Sequence, residues 1–247
     1  MNGRHQAIGI KQVIRLDWMQ RTANLLLAGV DAKSIRMELH EALNREADGQ
    51  RSAQTRAFAV NNLMTIWCSA DAELGPFRAA VLEILRQDPK SGLALHWAMI
   101  SAAYPFWFNI ARQTGRLLAL QDQVTQAQIV ARLKENYGDR QTVSRYARFV
   151  IRSFVDWGVL QDAPVKGCYE QSSPIAFDDR GLALLLYESA LLASPEGKAS
   201  LARLANEPAF FAFKLPLLSG GLLSESRARL DVVHGALDDQ MLVRKPG

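Results

Sequence analysis

Apolar residues recur every three or four positions along most of the chain, which is the spacing that buries one face of an α-helix. The repeat is regular after Asp31, where the apolar positions are Ile35, Leu39, Ala42 and Leu43. Together with residues typical of helix ends, the pattern predicts helices over 17–28, from Asp31, from Ser52, from Gly75-Pro76 through Leu85, over 178–193, from Ser194-Pro195 and over 224–237. Breaks are predicted at 47–50 and at Gly220-Gly221.

The stretch from Leu93 to Ala111 contains no Asp, Glu, Lys or Arg across 19 residues, close to the length of about 20 residues that spans a bilayer. Proline fits the first turn of a helix and disfavours helical backbone in the residue before it, so Tyr104-Pro105 predicts a boundary between two helices. We therefore predict two buried helices here and no membrane insertion. The aromatic residues around this boundary are predicted to lie in the core: Tyr104, Phe106, Trp107 and Phe108.

A helix, a tight turn and a second helix are predicted in succession after Thr125. Thr125 and Gln128 have the spacing of a capping box, in which each side chain binds the backbone of the other residue. The first helix should end near Tyr137-Gly138-Asp139, because glycine tolerates the left-handed backbone of a helix C-terminus. The second helix is predicted to begin near Arg140.

This second helix has one apolar face and one cationic face. At about 100° per residue, the apolar face consists of Val143, Ala147, Val150 and Phe154. The opposite face consists of Gln141, Arg145, Arg148 and Arg152. From Arg132 to Arg152 there are six lysines and arginines against Glu135 and Asp139, so the excess of positive charge is local.

A β-hairpin is predicted after the second helix. The run 157–160 is extended, 161–164 is a turn, and 165–169 returns as the second strand, with Lys166 near the tip. The order of helix, turn, helix and hairpin is that of a winged helix-turn-helix, whose second helix enters the major groove of DNA.

Arginine side chains bind phosphates and guanine edges, and polar residues in the first turn of such a helix meet base edges. The residues predicted to bind nucleic acid are Arg140, Gln141, Thr142, Ser144, Arg145, Arg148, Arg152 and Lys166. The alternative interpretation is that the arginines only solvate an exposed helix face.

The chain has 247 residues, of which 49 % are apolar and 22 % charged, as in globular rather than disordered proteins. The net charge of +4 is compatible with nucleic-acid binding and is weak evidence by itself. Cys68 and Cys168 have neither zinc-site nor disulfide-framework spacing, and the first residues do not form a signal peptide. A cytoplasmic location is therefore predicted.

The sequence contains no pattern typical of a catalytic site. Its four histidines are scattered, and metalloprotease, nucleophile-elbow and phosphate-loop motifs are missing. The tandem acids Asp178-Asp179 and Asp238-Asp239 are interpreted as helix caps or solvated turns. We therefore predict a protein that is not an enzyme and that uses no cofactor or metal.

The predicted fold is mainly α-helical, a multi-helix bundle with an embedded winged helix-turn-helix that carries a short β-hairpin. The predicted regions are an N-terminal helical domain over 1–121, the winged helix-turn-helix over 122–177, and a C-terminal helical region over 178–247 that packs on the rest. Phe210, Phe211 and Phe213 lie in a loop of this last region and are predicted to be core, or alternatively an exposed docking patch.

Short motifs follow one another along most of the chain. They are Gln50-Arg51-Ser52, His96-Trp97, Tyr104-x-Phe106, a polar stretch from Arg116 through Gln128, the arginine-bearing helix with Trp157-Gly158-Val159-Leu160, and Pro208-Ala209-Phe210-Phe211. In this order the motifs resemble those of the BrxA-like proteins of bacterial BREX phage-defence loci. The resemblance implies a small helical, non-enzymatic, DNA-binding protein that works beside a methyltransferase, an ATPase and other defence proteins.

The function expected from these patterns is binding of double-stranded DNA through the winged helix-turn-helix, as part of a phage-defence system. Three alternatives remain at this stage. The chain could be an interaction scaffold within a defence complex, a transcriptional regulator, or an RNA-binding helical protein.

Overall fold

The structure is a computed structural model that describes residues 3–45, 52–69, 71–218, 229–234 and 240–245. Within these residues the protein is mainly helical. The helices are α1 (Gly3–Gln6), α2 (Leu16–Leu27), α3 (Ala32–Arg45), α4 (Ala53–Cys68), α5 (Gly75–Gln87), α6 (Gly92–Ala103), α7 (Pro105–Leu118), α8 (Gln126–Tyr137), α9 (Gln141–Asp156), α10 (Arg180–Ala193) and α11 (Leu201–Ala205). Two 3₁₀ turns are found at Pro89–Ser91 and Pro208–Phe210.

The strands of the described residues form three small sheets. They are β1 (Gln123–Thr125), β2 (Leu160–Asp162), β3 (Cys168–Gln171), β4 (Ile175–Ala176), β5 (Lys198–Ser200), β6 (Phe213–Lys214), β7 (Leu230–His234) and β8 (Gln240–Arg244). The first sheet has the order β1-β3-β2, β4 pairs with β6, and the third sheet has the order β5-β8-β7. The pairings in the first and third sheets are antiparallel.

Polar side chains cap the helices where the sequence predicts them. The Asp31 carboxylate accepts hydrogen bonds from the backbone N–H groups of Lys33 and Ser34 at 3.0 and 3.1 Å. The Ser52 hydroxyl accepts a bond from the N–H of Thr55 at 3.1 Å. These bonds satisfy N–H groups that have no partner within a helix, which is why helices begin at these residues. The predicted break at 47–50 lies outside the described residues.

Helices α6 and α7 form the centre of the molecule. The prediction of two buried helices is confirmed, because α6 ends at Ala103 and α7 begins at Pro105. Tyr104, Phe106, Trp107 and Phe108 are all buried. No helix in the described ranges has the length and apolar character that crossing a membrane requires.

Trp97 of α6 lies at the centre of an aromatic cluster. Five rings surround it at centroid distances of 5.1 to 6.0 Å: Trp107, Phe154, Trp157, Phe211 and Phe213. The core interpretation of the phenylalanine loop is therefore confirmed for Phe210 and Phe213, which are 4 % and 7 % exposed, while Phe211 is half-buried. The docking-patch interpretation of this loop is wrong.

Two predictions for the C-terminal region are wrong. Residues 230–234, which the sequence assigned to a helix over 224–237, form β7 and pair with β8, with Leu230 opposite Arg244. Leu230 and Leu242 are buried while Asp231 is exposed, so the side chains alternate as in a half-buried strand. The rest of the predicted helix, 224–229 and 235–237, and the Gly220-Gly221 break lie outside the described residues except for Arg229.

The helix predicted to begin at Ser194-Pro195 is replaced by a turn and a strand. The Gly197 N–H donates to the Ser194 carbonyl at 3.2 Å, and Gly197 has a φ of +61°. Because that backbone conformation is incompatible with a helix, the chain turns into β5 and begins a short helix, α11, only at Leu201.

Gly115 of α7 allows the chain at Pro208 to lie directly against the helix. A Cβ atom at Gly115 would be 1.9 Å from the carbonyl oxygen of Pro208. Although alanine normally stabilises a helix interior by about 0.5–1 kcal/mol over glycine, we expect Gly115→Ala to lower the free energy of unfolding by about 1–3 kcal/mol through overpacking.

Urea denaturation of Gly115→Ala tests this close approach, with Gly75→Ala as the matched control. A Cβ atom at Gly75 meets nothing within 4 Å, so the control should not be destabilised. Equal free energies of unfolding for the two variants would contradict the close packing of Pro208 on α7.

His96 lies fully buried on α6, where its Nε2 is 3.0 Å from the side-chain oxygen of Gln20. Burial lowers the pKa of His96 from 6.5 to about 3. Below the unfolded pKa of 6.5 the unfolded chain therefore binds a proton that the folded protein does not. Above that pH the neutral buried His96 does not lower the free energy of unfolding. As the pH drops from 6.5 towards 3, we expect the free energy of unfolding to fall by up to about 1.4 kcal/mol per pH unit.

Denaturation midpoints of the wild type and His96→Gln at pH 7 and pH 4.5 measure this contribution. The variant lacks the titrating group, so its stability should decline less on acidification. If both proteins lose the same free energy between the two pH values, His96 is not the buried neutral group described here.

Candidate nucleic-acid interface

A glycine turn joins α8 to α9 and sets the direction in which α9 leaves. Both hydrogen bonds of the predicted capping box are present at the start of α8, between Thr125 and Gln128. The helix ends at Gly138, which has a φ of +75° and donates its N–H to the Lys134 carbonyl at 2.8 Å. Arg140 is extended and α9 begins at Gln141, as the sequence predicts.

The apolar face of α9 packs against the centre of the molecule. All four residues of the predicted face are buried, namely Val143, Ala147, Val150 and Phe154. The Phe154 ring stacks on Trp97 at 5.1 Å and meets Trp107 edge-on at 4.8 Å. Since these two tryptophans belong to α6 and α7, the aromatic contacts fix which side of α9 faces solvent.

Hydrogen bonds from the N-terminal segment hold the C-terminal end of α9. The Ile14 N–H donates to the Ser153 hydroxyl at 2.9 Å, and the Trp157 indole donates to the Ile14 carbonyl at 2.8 Å. The N–H of Leu16 donates to the carboxylate of Asp156 at 3.2 Å. Because the first two bonds are buried, α9 is held at its C-terminal end as well as at the turn that precedes it.

The sheet that follows α9 contains the predicted hairpin, with shifted strands. The sequence placed its strands at 157–160 and 165–169, and the structure places them at Leu160–Asp162 and Cys168–Gln171. Strand β1, which the sequence did not predict, pairs on the other side of β3, with Val124 opposite Tyr169. Three-residue strands such as β1 are too short to show a period of two.

The hairpin tip is held against α8. Residues 163–167 form the tip, where Gly167 has a φ of +82° and its carbonyl accepts the Gln126 N–H at 3.0 Å. Lys166 is exposed at this tip, as predicted. The contact between Gly167 and the first residue of α8 fixes the position of the tip relative to the helix pair.

The structure places Gln141, Thr142, Arg145 and Arg148 on the exposed surface of α9. The guanidinium of Arg148 lies 5.7 Å from the centroid of the Phe149 ring. Neither Arg145 nor Arg148 forms an ion pair with any residue in the described part of the chain. We call Arg145, Arg148 and Arg152 the arginine stripe. Two of its three positive charges, those of Arg145 and Arg148, therefore face solvent.

Arg152, the third arginine of the stripe, is bound to the hairpin. Its guanidinium lies 2.5 Å from the Asp162 carboxylate on β2. That carboxylate raises the pKa of Arg152 above its ordinary value. Sequence reasoning missed this pair because the two residues are ten positions apart and belong to different elements. Arg152 thus links α9 to the hairpin.

Ser144 and Lys166 line a common groove of about 580 Å³ between α8, α9 and the hairpin tip. Lys134 lines the same groove and is paired with Asp139 at 2.8 Å. The described residues that line the groove include no carboxylate. Ser144 and Arg148 are one helical turn apart on α9, so the groove lies beside Arg148.

The outer face of the sheet carries negative charge. The Glu170 carboxylate on β3 accepts hydrogen bonds from the side-chain amides of Gln123 and Gln161 at 2.8 and 3.1 Å. This carboxylate repels a phosphate backbone, so the sheet face around Glu170 is not part of the cationic surface.

Arg140 is separated from the other predicted residues. It lines a different cavity, with Gly138, Arg112 and Arg116. The sequence gives no sign of this cavity, because its walls come from segments about a hundred residues apart. Within the described ranges, no group of three His, Cys, Asp or Glu side chains is placed to hold a metal ion.

Comparisons of the chain with protein-family models, with curated proteins and with solved structures found no match.

Proposed function

We propose that residues 123–171 act as a winged helix-turn-helix and that the protein binds duplex DNA with α9 in the major groove. The observation that carries this proposal is the exposed pair Arg145 and Arg148, which lie opposite a fully buried face and form no ion pair in the described part of the chain. Mixed positive and negative side chains would keep an exposed helix face equally soluble. Helix α9 instead carries arginines and no carboxylate before Asp156.

The first turn of α9 supports contact with bases. Gln141 and Thr142 are exposed there, and Ser144 faces the groove that leads to Lys166. Helix-turn-helix proteins use the N-terminal residues of the second helix to reach base edges. Amides and hydroxyls in this turn are suited to base hydrogen bonds, while Arg145 and Arg148, further along the helix, are suited to phosphates.

Rigid placement of the two cationic elements also supports the proposal. The Arg152–Asp162 pair joins α9 to β2, and the bond from Gln126 to Gly167 joins α8 to the hairpin tip. A surface that is already in position loses little conformational entropy when it binds a regular, stiff ligand such as the DNA duplex. Arg152 accordingly acts as a positioning residue in this proposal.

A place in phage defence rests on the resemblance to BrxA-like proteins and is the second part of the proposal. Duplex DNA is then the ligand of α9, and other defence proteins, including a methyltransferase and an ATPase, are the expected partners. Nothing in this proposal requires a catalytic site.

We predict that replacing Arg145 and Arg148 together by alanine weakens binding to a nonspecific duplex of about 20 bp, two turns of DNA. The affinity falls with salt, and each lost phosphate contact makes the slope of log affinity against log salt less negative by about 0.9. The slope should therefore become shallower by about 1.8 in the double variant. Fluorescence anisotropy over a salt series measures both changes, and circular dichroism checks that the fold is retained.

The matched control is the double variant Arg21→Ala and Arg45→Ala. These side chains are also exposed, and both lie near Glu38 at 3.5 and 3.7 Å on α2 and α3. The control removes the same charge from α2 and α3, outside the proposed DNA-binding segment, and should retain wild-type salt dependence. The proposal is overturned if the two double variants bind alike, or if structured RNA competes better than duplex DNA.

A further inference from the structure

A cavity lies beside the turn between α8 and α9 and shares no lining residue with the groove at the hairpin tip. Its volume is about 650 Å³, within the range of about 300–1,000 Å³ typical of small-molecule sites. The walls come from α7, the end of α8, the turn after α10, α11 and α1. We call it the basic cavity, after Arg112, Arg116, Arg140 and Arg203, which line it.

One arginine of the basic cavity is fixed by a buried carboxylate. The Arg112 guanidinium donates two hydrogen bonds to Glu207, at 2.8 and 2.9 Å. The Glu207 side chain is 3 % exposed and that of Arg112 is 17 % exposed. This pair is neutral and rigid, so it forms a fixed wall with no charge left to attract a ligand.

The other three arginines have no such carboxylate. Arg116, Arg140 and Arg203 are exposed and form no ion pair with the residues that the structure describes. Glu196 is the one further carboxylate among the described residues lining the cavity, and it accepts a hydrogen bond from the Ser194 hydroxyl. Three guanidinium groups against this single carboxylate leave an excess of two positive charges.

A side-chain amide adds a polar group to the wall of the cavity. Gln113 of α7 lines the cavity, is 7 % exposed as a residue, and forms no side-chain hydrogen bond with the residues that the structure describes. Its amide is not among the fully buried polar atoms, so it is open to the cavity and free to bind a ligand there. Asn109, one helical turn before Gln113, also lines the cavity, and its amide N–H donates to the Tyr137 hydroxyl at 2.6 Å.

We propose that the basic cavity binds a small molecule that carries two or more phosphate groups. Guanidinium groups match phosphate oxygens in geometry and charge, and the excess of two charges calls for a ligand with more than one negative charge. Gln113 and Asn109 supply amides for further phosphate or hydroxyl oxygens. Gln113 and the Arg112 side chain are only 7 % and 17 % exposed, so a ligand that contacts them must enter the cavity, which favours a small molecule over a duplex.

The test is a calorimetric titration of the full-length protein with inorganic pyrophosphate, at constant ionic strength and without DNA. We expect saturable binding with a Kd below about 1 mM. The double variant Arg116→Gln and Arg203→Gln should weaken binding at least about tenfold. Its control is Arg21→Gln with Arg45→Gln, which removes two charges elsewhere and should bind like the wild type. Arg140 is left unchanged because it adjoins α9.

The titration contains no DNA, so its result is independent of the proposed DNA binding. Absence of pyrophosphate binding by the wild type overturns the proposal, and so does equal binding by the two double variants. The cavity variant should also retain wild-type affinity for duplex DNA. If it loses DNA affinity and the wild type does not bind pyrophosphate, the cavity arginines belong to the DNA surface instead.

Discussion

The stacking of Phe154 on Trp97, with Trp107 against its edge, is the contact on which the placement of α9 depends. Each such aromatic pair stabilises a protein by about 0.5–1.5 kcal/mol beyond the area that it buries. These contacts orient α9 so that Arg145 and Arg148 face solvent. The bonds between Ile14 and residues 153 and 157 hold the same C-terminal end of the helix against the N-terminal segment.

Two cationic regions with different lining residues lie near the turn at Gly138. The exposed side of α9 and the hairpin tip form an open surface, suited to the regular phosphates of a duplex. The basic cavity is lined by arginines and side-chain amides, and it is suited to a small ligand. Arg140, at the start of α9, belongs to the wall of the cavity. The sequence grouped it with the surface because neighbours in sequence often, though not always, share one side of a helix.

Local chemistry made much of the fold predictable. Caps at Asp31, Ser52 and Thr125, and the glycine at the end of α8, are decided by residues within a single turn. The buried face of α9 follows from helical periodicity alone. The strand β7 was missed although its partner β8 is the next strand along the chain, because Leu230, Val233 and Leu237 also have helical spacing. The pairing of β8 with β5 and the covering of Leu230 are tertiary features. The same limit applies to the Arg152–Asp162 pair and to the basic cavity, whose members come from distant segments.

Contact of duplex DNA with α9 and the hairpin tip can be followed residue by residue. The decisive experiment is a titration of the isotope-labelled protein with a short duplex, monitored by backbone amide chemical shifts. We expect the largest shifts at residues 141–149 and 164–167, weakening as salt is added, with α2 to α4 unchanged. Shifts confined to α2–α4, or no shifts at low salt, overturn the proposed interface.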